Sequence, residues 1–321
     1  MTKNARTKTQ IPIDRTAVWV ASLTQQGMRA ETADAMVDQL LERMHALSMF
    51  HADIVCLPEV FPLVGLAAPS PPARQIAETP PGPITGRFCE FARVHQCYVI
   101  CPLYTTENGK IYNAAVVIDR HGEVLGEYRK IHLTEGELED GLTPGPLDAP
   151  VFDTDFGRIG VQICFDIEWV DGWQRLANQG AEIVFWPSAF AGGRALNALA
   201  SRFHYAIVSS TQKDASKIID ISGTDLAVSG RWDSKGVCMP INLETAFVHS
   251  WPYFSAFDTI RQKYGRKILI RSFHDEEWSI IESRDREISV KDVLLEFNIP
   301  THDEMTRAAE AKQAAARNSQ E

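Results

Sequence analysis

Long apolar runs are missing from this chain. None approaches the roughly 18–20 residues that a membrane-spanning helix requires, so no such helix is expected. A clustered basic stripe is missing too. With 42 acidic against 32 basic residues the net charge is −10, which argues against nucleic acid and anionic membrane as partners. The first ten residues carry Lys3, Arg6 and Lys8 but no apolar core, so they read as a polar terminus and not a secretory signal. Zinc-type spacing is also absent. Cys97 and Cys101 stand too far apart for the usual two-residue knuckle, and no paired histidines complete a ligand set, so no metal or cofactor is expected.

What is present is an ordinary globular composition over 321 residues, enough for one large α/β domain or two small ones. Six cysteines lie inside apolar segments of a long chain without a signal, which favours reduced thiols and a cytoplasmic protein over a disulfide framework. No linker divides the core. The chain therefore reads as one domain over residues 14–250, an extension over 251–300 and a charged tail over 301–321.

Taken in order, Thr16–Ser22 suits a first strand, and Thr32–Met49 has the apolar spacing of an amphipathic helix. Ile54–Leu57 is apolar at every position, as expected of a strand buried on both faces, and Glu59 follows at its carboxyl end. Residues 67–86 are rich in proline and glycine and predict an irregular surface loop. A helix over 84–95 leads to strands over 97–103, 111–118 and 124–130, the first two joined by the hairpin signal Asn108-Gly109. Lys130 closes the third strand, and residues 134–150 read as loop. Ala181–Ser188 repeats Ala52–Glu59 in its Ala, Ile, Val and Pro positions, and each follows a helix. Two such halves predict two sheets packed face to face with helices outside.

The organising stretch is residues 157–168. Ile159, Val161 and Ile163 have strand period, Asp166 suits an N-cap, and Trp169, Trp173, Leu176 and Ala177 recur at helical spacing. Cys164 would then occupy the turn between strand and helix. A helix N-terminus lowers a thiol pKa and offers free N–H groups to an oxyanion. Cysteine is also often simply buried. Beside a nucleophilic thiol, Glu59 would serve as base, and Lys130 with the Phe165 N–H would hold the developing negative charge.

The stretches Leu57-Pro58-Glu59, Tyr128-Arg129-Lys130-Ile131-His132-Leu133 and Gly160-Val161-Gln162-Ile163-Cys164-Phe165-Asp166 stand in that order. Together with Tyr112-Asn113-Ala114 and Pro187-Ser188 they resemble the nitrilase superfamily of carbon–nitrogen hydrolases across residues 14–250. The resemblance implies a four-layer αββα sandwich and a Glu59–Lys130–Cys164 triad. It also implies a second glutamate after the lysine, which falls best on Glu137 with Glu135 as runner-up. The chain departs from the family at Val170-Asp171-Gly172, where a Pro-Glu pair is common.

Cys164-Phe165-Asp166 is similar to amidase and carbamoylase branches, where true nitrilases more often have Trp-Glu after the cysteine. The expected activity is therefore metal-independent hydrolysis of a small carboxamide through a thioester. N-carbamoyl hydrolysis stands second, then nitrile hydrolysis, then a non-catalytic binding protein. Ser188 and Arg194 are the expected substrate contacts besides Phe165, Arg194 as a carboxylate clamp. Phe61, Trp169, Trp173 and Phe190 are expected pocket walls. Ile268-Leu269-Ile270 and Val293-Leu294-Leu295 need a surface to bury against, which predicts a homodimer or larger homo-oligomer.

Overall fold

The computed structural model describes residues 14–319; the polar terminus discussed above lies outside them. The first sheet begins with β1 (Val18–Leu23), β2 (Ile54–Cys56), β3 (Tyr98–Glu107), β4 (Lys110–Ile118) and β5 (Val124–Arg129). The second sheet comprises β6 (Val151–Asp153), β7 (Arg158–Val161), β8 (Ile183–Ser188), β9 (Ala206–Thr211), β10 (Lys217–Ile219) and β11 (Asp225–Val228). Then β12 (Gly236–Ile241) returns to the first sheet, antiparallel beside β1. The orders are β12-β1-β2-β3-β4-β5 and β11-β10-β9-β8-β7-β6.

Each sheet is mixed around a parallel trio, β1-β2-β3 in one and β7-β8-β9 in the other. The two repeated segments supply the central strands of those trios, β2 and β8. Strands β3, β4 and β5 form the expected antiparallel meander. Both Asn108 (φ 51°) and Gly109 (φ 75°) have the positive φ that a two-residue hairpin of matching twist demands.

Alternation decides the layers. Ile54 and Cys56 join Val18, Val20 and Ile100 in the core between the sheets, against Val161, Phe185 and Val208. Val55 and Leu57 point the other way, onto helices α1 (Ala33–Leu47) and α3 (Thr85–His95). The short helix α2 (Ala73–Ile76) interrupts the stretch expected to be irregular, and α3 is the helix expected over 84–95. Helix α4 (Glu135–Glu139) also falls in an expected loop, and α5 (Val170–Asn178) and α6 (Gly193–Phe203) pack on the second sheet through Trp173, Leu176, Leu196 and Leu199. The result is an αββα sandwich. Fully burying each such side chain contributes about 1.5–3 kcal/mol, so the four layers hold together chiefly by apolar contact.

One expectation about the nucleophile turn needs correction. Asp166 does not cap α5, whose N-cap is Trp169. Cys164–Glu168 form a separate 3-10 turn first. The Val170-Asp171-Gly172 departure has a steric counterpart: a Cβ on Gly172 would lie 2.7 Å from the buried Gln162 Oε1. A larger residue in the first turn of α5 would require the Gln162 amide to shift.

The sheets are also tied by polar bonds near the site end. Ser210 Oγ donates to the Leu23 and Cys56 carbonyls (2.7 and 3.1 Å), and Gln212 donates to the Glu59 carbonyl (2.7 Å). After β12 come β13 (Thr245–His249), α7 (Phe254–Tyr264), β14 (Ile268–Phe273), β15 (Trp278–Ser283), α8 (Val290–Glu296) and α9 (His302–Asn318). The strands form a third sheet, β13-β15-β14, with its own core of Val248, Phe257, Ile260, Ile268, Ile281 and Val293. Ile268, Val293 and Leu294 bury there within the same chain, leaving Leu269 and Leu295 of the two apolar segments exposed.

Candidate active site

The side chains singled out from sequence meet where the two sheets end. Glu59 follows β2 and is 3% exposed; Lys130 directly follows β5 and is 2% exposed. The Lys130 N–H continues the ladder to the Asn113 carbonyl at 2.8 Å, which fixes the root of its side chain. Its Nζ donates to Glu59 Oε1 at 3.0 Å and to both Glu137 oxygens at 3.0 and 2.8 Å. One ammonium therefore stands between two carboxylates in a nearly dry site.

Glu137 is held by a capping box. Its Oε2 accepts from the Thr134 N–H (2.8 Å) and hydroxyl (3.0 Å), while the Thr134 hydroxyl accepts from the Glu137 N–H (3.3 Å). Glu135, on the same short helix, is exposed. Asn113 was not expected to carry more than strand identity, yet its Nδ2 donates to Glu59 (2.9 Å) and to Glu137 (2.7 Å). The readable signal was a polar side chain inside the otherwise apolar strand Tyr112–Ile118. Tyr104 also borders the cluster, and nothing in its local sequence marks it. Burial first, then the carboxylates of Glu137 and Glu59, push its phenol up to about 12, so it remains a neutral donor.

Electrostatics follow from this crowding. Burial pulls the Lys130 ammonium down, but Glu59 and Glu137 outweigh it and hold the group above its ordinary value. Burial pushes Glu137 up, and Lys130 together with its hydrogen bonds more than reverses that. The Cys164 thiol is pushed up to about 12, by burial first and then by Glu59; Lys130 and hydrogen bonds from Ala189 and Ser188 oppose the shift only in part. This corrects the sequence expectation of a thiol lowered by a helix N-terminus. The turn is a single 3-10 turn, and its dipole is outweighed by desolvation and a neighbouring carboxylate.

Cys164 adopts φ 45°, in the left-handed region. Such a conformation costs a non-glycine residue about 1–3 kcal/mol and persists only where neighbours impose it. Here Trp186 Nε1 donates to the Cys164 carbonyl (3.2 Å), and the buried Asp166 carboxylate accepts from the Ile163 N–H (2.9 Å). Asp166 also accepts from the Tyr128 hydroxyl (2.7 Å) and the His132 N–H (2.8 Å), so it ties the cysteine turn to the lysine strand. The Phe165 N–H opens this turn, where no acceptor within the turn is available to it.

Other expected residues are placed differently. Ser188 is fully buried at the end of β8. Arg194 is exposed on the first turn of α6, away from the triad's hydrogen bonds. Phe61 is no pocket wall: it is buried edge-on against Phe88 in the outer core. Trp173 is fully buried as well, its Nε1 donating to the Asp166 carbonyl. Trp169 and Phe190 remain partly exposed, Trp169 stacked on His132 and Phe190 edge-on to Trp186.

The family model for carbon-nitrogen hydrolase matches residues 20–251, a stretch that contains every member of this cluster. The chain belongs to the carbon-nitrogen hydrolase family. That is the nitrilase superfamily of the sequence resemblance. Among curated relatives, the omega-amidase NIT2 of Homo sapiens is 33% identical over 147 residues, 43% of this chain and 52% of that protein. The N-carbamoylputrescine amidase of Solanum tuberosum is 34% identical over 112 residues, 33% of this chain and 37% of that protein. A hydrolase from Pseudomonas protegens is 34% identical over 46% of this chain and 53% of its own length. The matched stretch thus spans about half the length of the longer-matching relatives. Among solved structures, an amidase from Nesterenkonia sp. shares the fold with a TM-score of 0.61 at 21% identity, over 73% of this chain and 95% of that one. A mutant of that amidase carries the acetamide moiety of fluoroacetamide covalently on its active-site cysteine.

Proposed function

We propose that this carbon-nitrogen hydrolase cleaves the C–N bond of a small carboxamide through a thioester on Cys164. The observation that carries the reading is the Lys130 ammonium fixed between Glu59 and Glu137 beside a cysteine held in a left-handed turn. Glu59 takes the thiol proton as sulfur attacks the carbonyl carbon. Negative charge gathers on the carbonyl oxygen, where Lys130 and the Phe165 N–H stabilise it. As the tetrahedral intermediate collapses, the nitrogen accepts the proton from Glu59 and leaves as ammonia or an amine. Glu59 then draws a proton from water, which attacks the thioester. The acid departs, and Cys164 regains its proton. Glu137 and Asn113 orient Lys130 and Glu59 throughout. Ser188 holds the thiol and Arg194 is left as an outlying contact for a substrate carboxylate.

The amide class is supported by Cys164-Phe165-Asp166 and by the amidases among the relatives. No helix among the described residues is long and apolar enough to cross a membrane, and the six free thiols support a cytoplasmic setting. The test is an ammonia-release screen over short amides, N-carbamoyl amino acids and nitriles, with Cys164→Ala as blank. Release from amides that vanishes in the variant is the expected result. Activity confined to nitriles overturns the proposal, and activity on carbamoyl compounds alone moves the substrate class to N-carbamoyl hydrolysis.

A further inference from the structure

Away from the triad, two distant parts of the chain bring nitrogen and oxygen ligands together. His204 ends helix α6 in a left-handed conformation (φ 55°), and His302 and Asp303 open helix α9. One ligand atom from each of the three lies within 4.8 Å of the others. His204 Nδ1 is 2.9 Å from Asp303 Oδ1. Donors on one tetrahedral ion at bonds of about 2.0–2.2 Å lie about 3.3–3.6 Å apart, so the cluster would contract by up to about 1.5 Å through side-chain rotation to close on an ion. A second observation is independent of the spacing: His302 Nδ1 is buried with no hydrogen-bond partner among the described residues. Buried ring nitrogens are normally satisfied, and an orphan calls for a water or an ion.

We propose that His204, His302 and Asp303 bind one divalent transition-metal ion of the zinc and cobalt class. Two imidazoles and a carboxylate suit such borderline ions better than soft Cu(I) or hard Mg2+ and Ca2+. The three donors leave room for water ligands, since they border a cleft of about 750 Å3 that also includes Arg202, Thr306 and Arg307. The two arginines do not close the site to a cation. Arg307 donates to the Asp303 carbonyl (3.1 Å), and Arg202 lies over the Phe203 ring. The carbonyl end of α6 favours a cation, and Asp303 with Glu304 offsets the opposing dipole at the start of α9. The ring of His204 is further held flat on Phe247 (4.0 Å) and edge-on to His302 (5.0 Å).

The ion would act as a clip. No residue of helix α9 is buried as a whole, although His302 Nδ1 is covered, so packing alone holds the helix weakly. Joining its first turn to the end of α6 would fasten the extension to the catalytic core.

The test uses the full chain carrying Cys164→Ala, so that the site thiol cannot capture metal, stripped with chelator and titrated with Co2+. One Co2+ per chain is expected, with visible ligand-field bands and no thiolate charge-transfer band, and with a rise in Tm. Outer partners of metal ligands alone are worth about 10–100-fold in affinity. Adding His302→Gln or His204→Gln should therefore weaken Co2+ by roughly a hundredfold, whereas His51→Gln leaves it unchanged. Asp303→Asn, at an exposed position, keeps the test open if a histidine variant misfolds. Absence of saturable Co2+, a thiolate band, or affinity unmoved by these ligand substitutions overturns the proposal and leaves a plain His204–Asp303 hydrogen bond.

Discussion

Replacing Lys130 by methionine keeps the length and apolar stem of the side chain and removes only the charge. What remains is Glu59 and Glu137 facing one another across a site in which Lys130 itself was 2% exposed. Removing one partner of a buried ion pair costs about 3–5 kcal/mol, because the other charge is left uncompensated. The unfolding entropy of about 2.1 cal/mol/K per residue makes each kcal/mol worth roughly 1.5 °C in a chain of 321 residues. The Tm of Lys130→Met should therefore fall by roughly 5–7 °C at neutral pH. The deficit should depend on pH with a definite sign. In the parent, the lowered Glu137 contributes stability above the ordinary carboxylate range that is lost as pH falls through it. In the variant, one of the two facing carboxylates is raised instead, so its penalty disappears on acidification. The gap between parent and variant should thus narrow toward pH 4, read by circular-dichroism melts at several pH values. On the proposed mechanism the same change removes an oxyanion donor, worth about 100–1,000-fold in kcat. A variant that melts with the parent at pH 7, or one whose kcat stays within tenfold, would refute the charge arrangement.

Asn113→Ala removes two hydrogen bonds to charged groups, each worth about 1.5–3 kcal/mol, so kcat should fall at least tenfold; Asn113→Asp should be worse because it adds a third carboxylate, and parity with the parent would refute the role given to the amide. Two carboxylates around one ammonium leave a net negative charge near Cys164, which costs an anionic reagent roughly 2–4 kcal/mol. Mass spectrometry of the Cys164 peptide should show iodoacetamide preferred over iodoacetate by about 30- to 1,000-fold more than free glutathione prefers it, and equal preferences would sink this electrostatic picture. Trp251 and Phe254, stacked on each other and 63% and 54% exposed, together with exposed Leu269 and Leu295, support self-association. Sedimentation at micromolar concentration should give a dimer or larger, and a lone 35.8 kDa species excludes it.

How much of this was legible depends on how local the signal is. Glu59, Lys130 and Cys164 stand at strand ends, and strand ends announce themselves by composition. Resemblance points to Glu137, and Thr134-Glu135-Gly136-Glu137 is itself a capping-box pattern that marks helix α4. The surrounding glycine, proline and acid content masked it. Strand β15 is not legible locally because Trp278–Ser283 gains its stability from β13 and β14 on either side, a pairing no local pattern reveals. Phe61 and Trp173 look like pocket aromatics in sequence, but which face of an element meets the core is fixed only by packing. His204 and Asp303 are 99 positions apart, so their meeting is a purely tertiary fact.

The raised thiol of Cys164 is the point at which tertiary structure reverses a local argument, and it bears on the chemistry. Counted as two carboxylates around one ammonium, the cluster carries one net negative charge. Losing the thiol proton to solvent would make that two in a nearly dry site, which is why burial and Glu59 push the thiol up to about 12. Handing the proton to Glu59 leaves the total unchanged. When sulfur then attacks, its charge moves onto the substrate oxygen, and the total is unchanged again. At low dielectric the expensive act is creating charge, whereas moving it among fixed partners costs far less. A stable thiolate would be a weaker nucleophile and would add charge to the resting site. On this reading the cluster works by keeping its net charge constant, with Lys130 placed beside the oxygen where the charge arrives and Glu59 holding the proton until the nitrogen leaves.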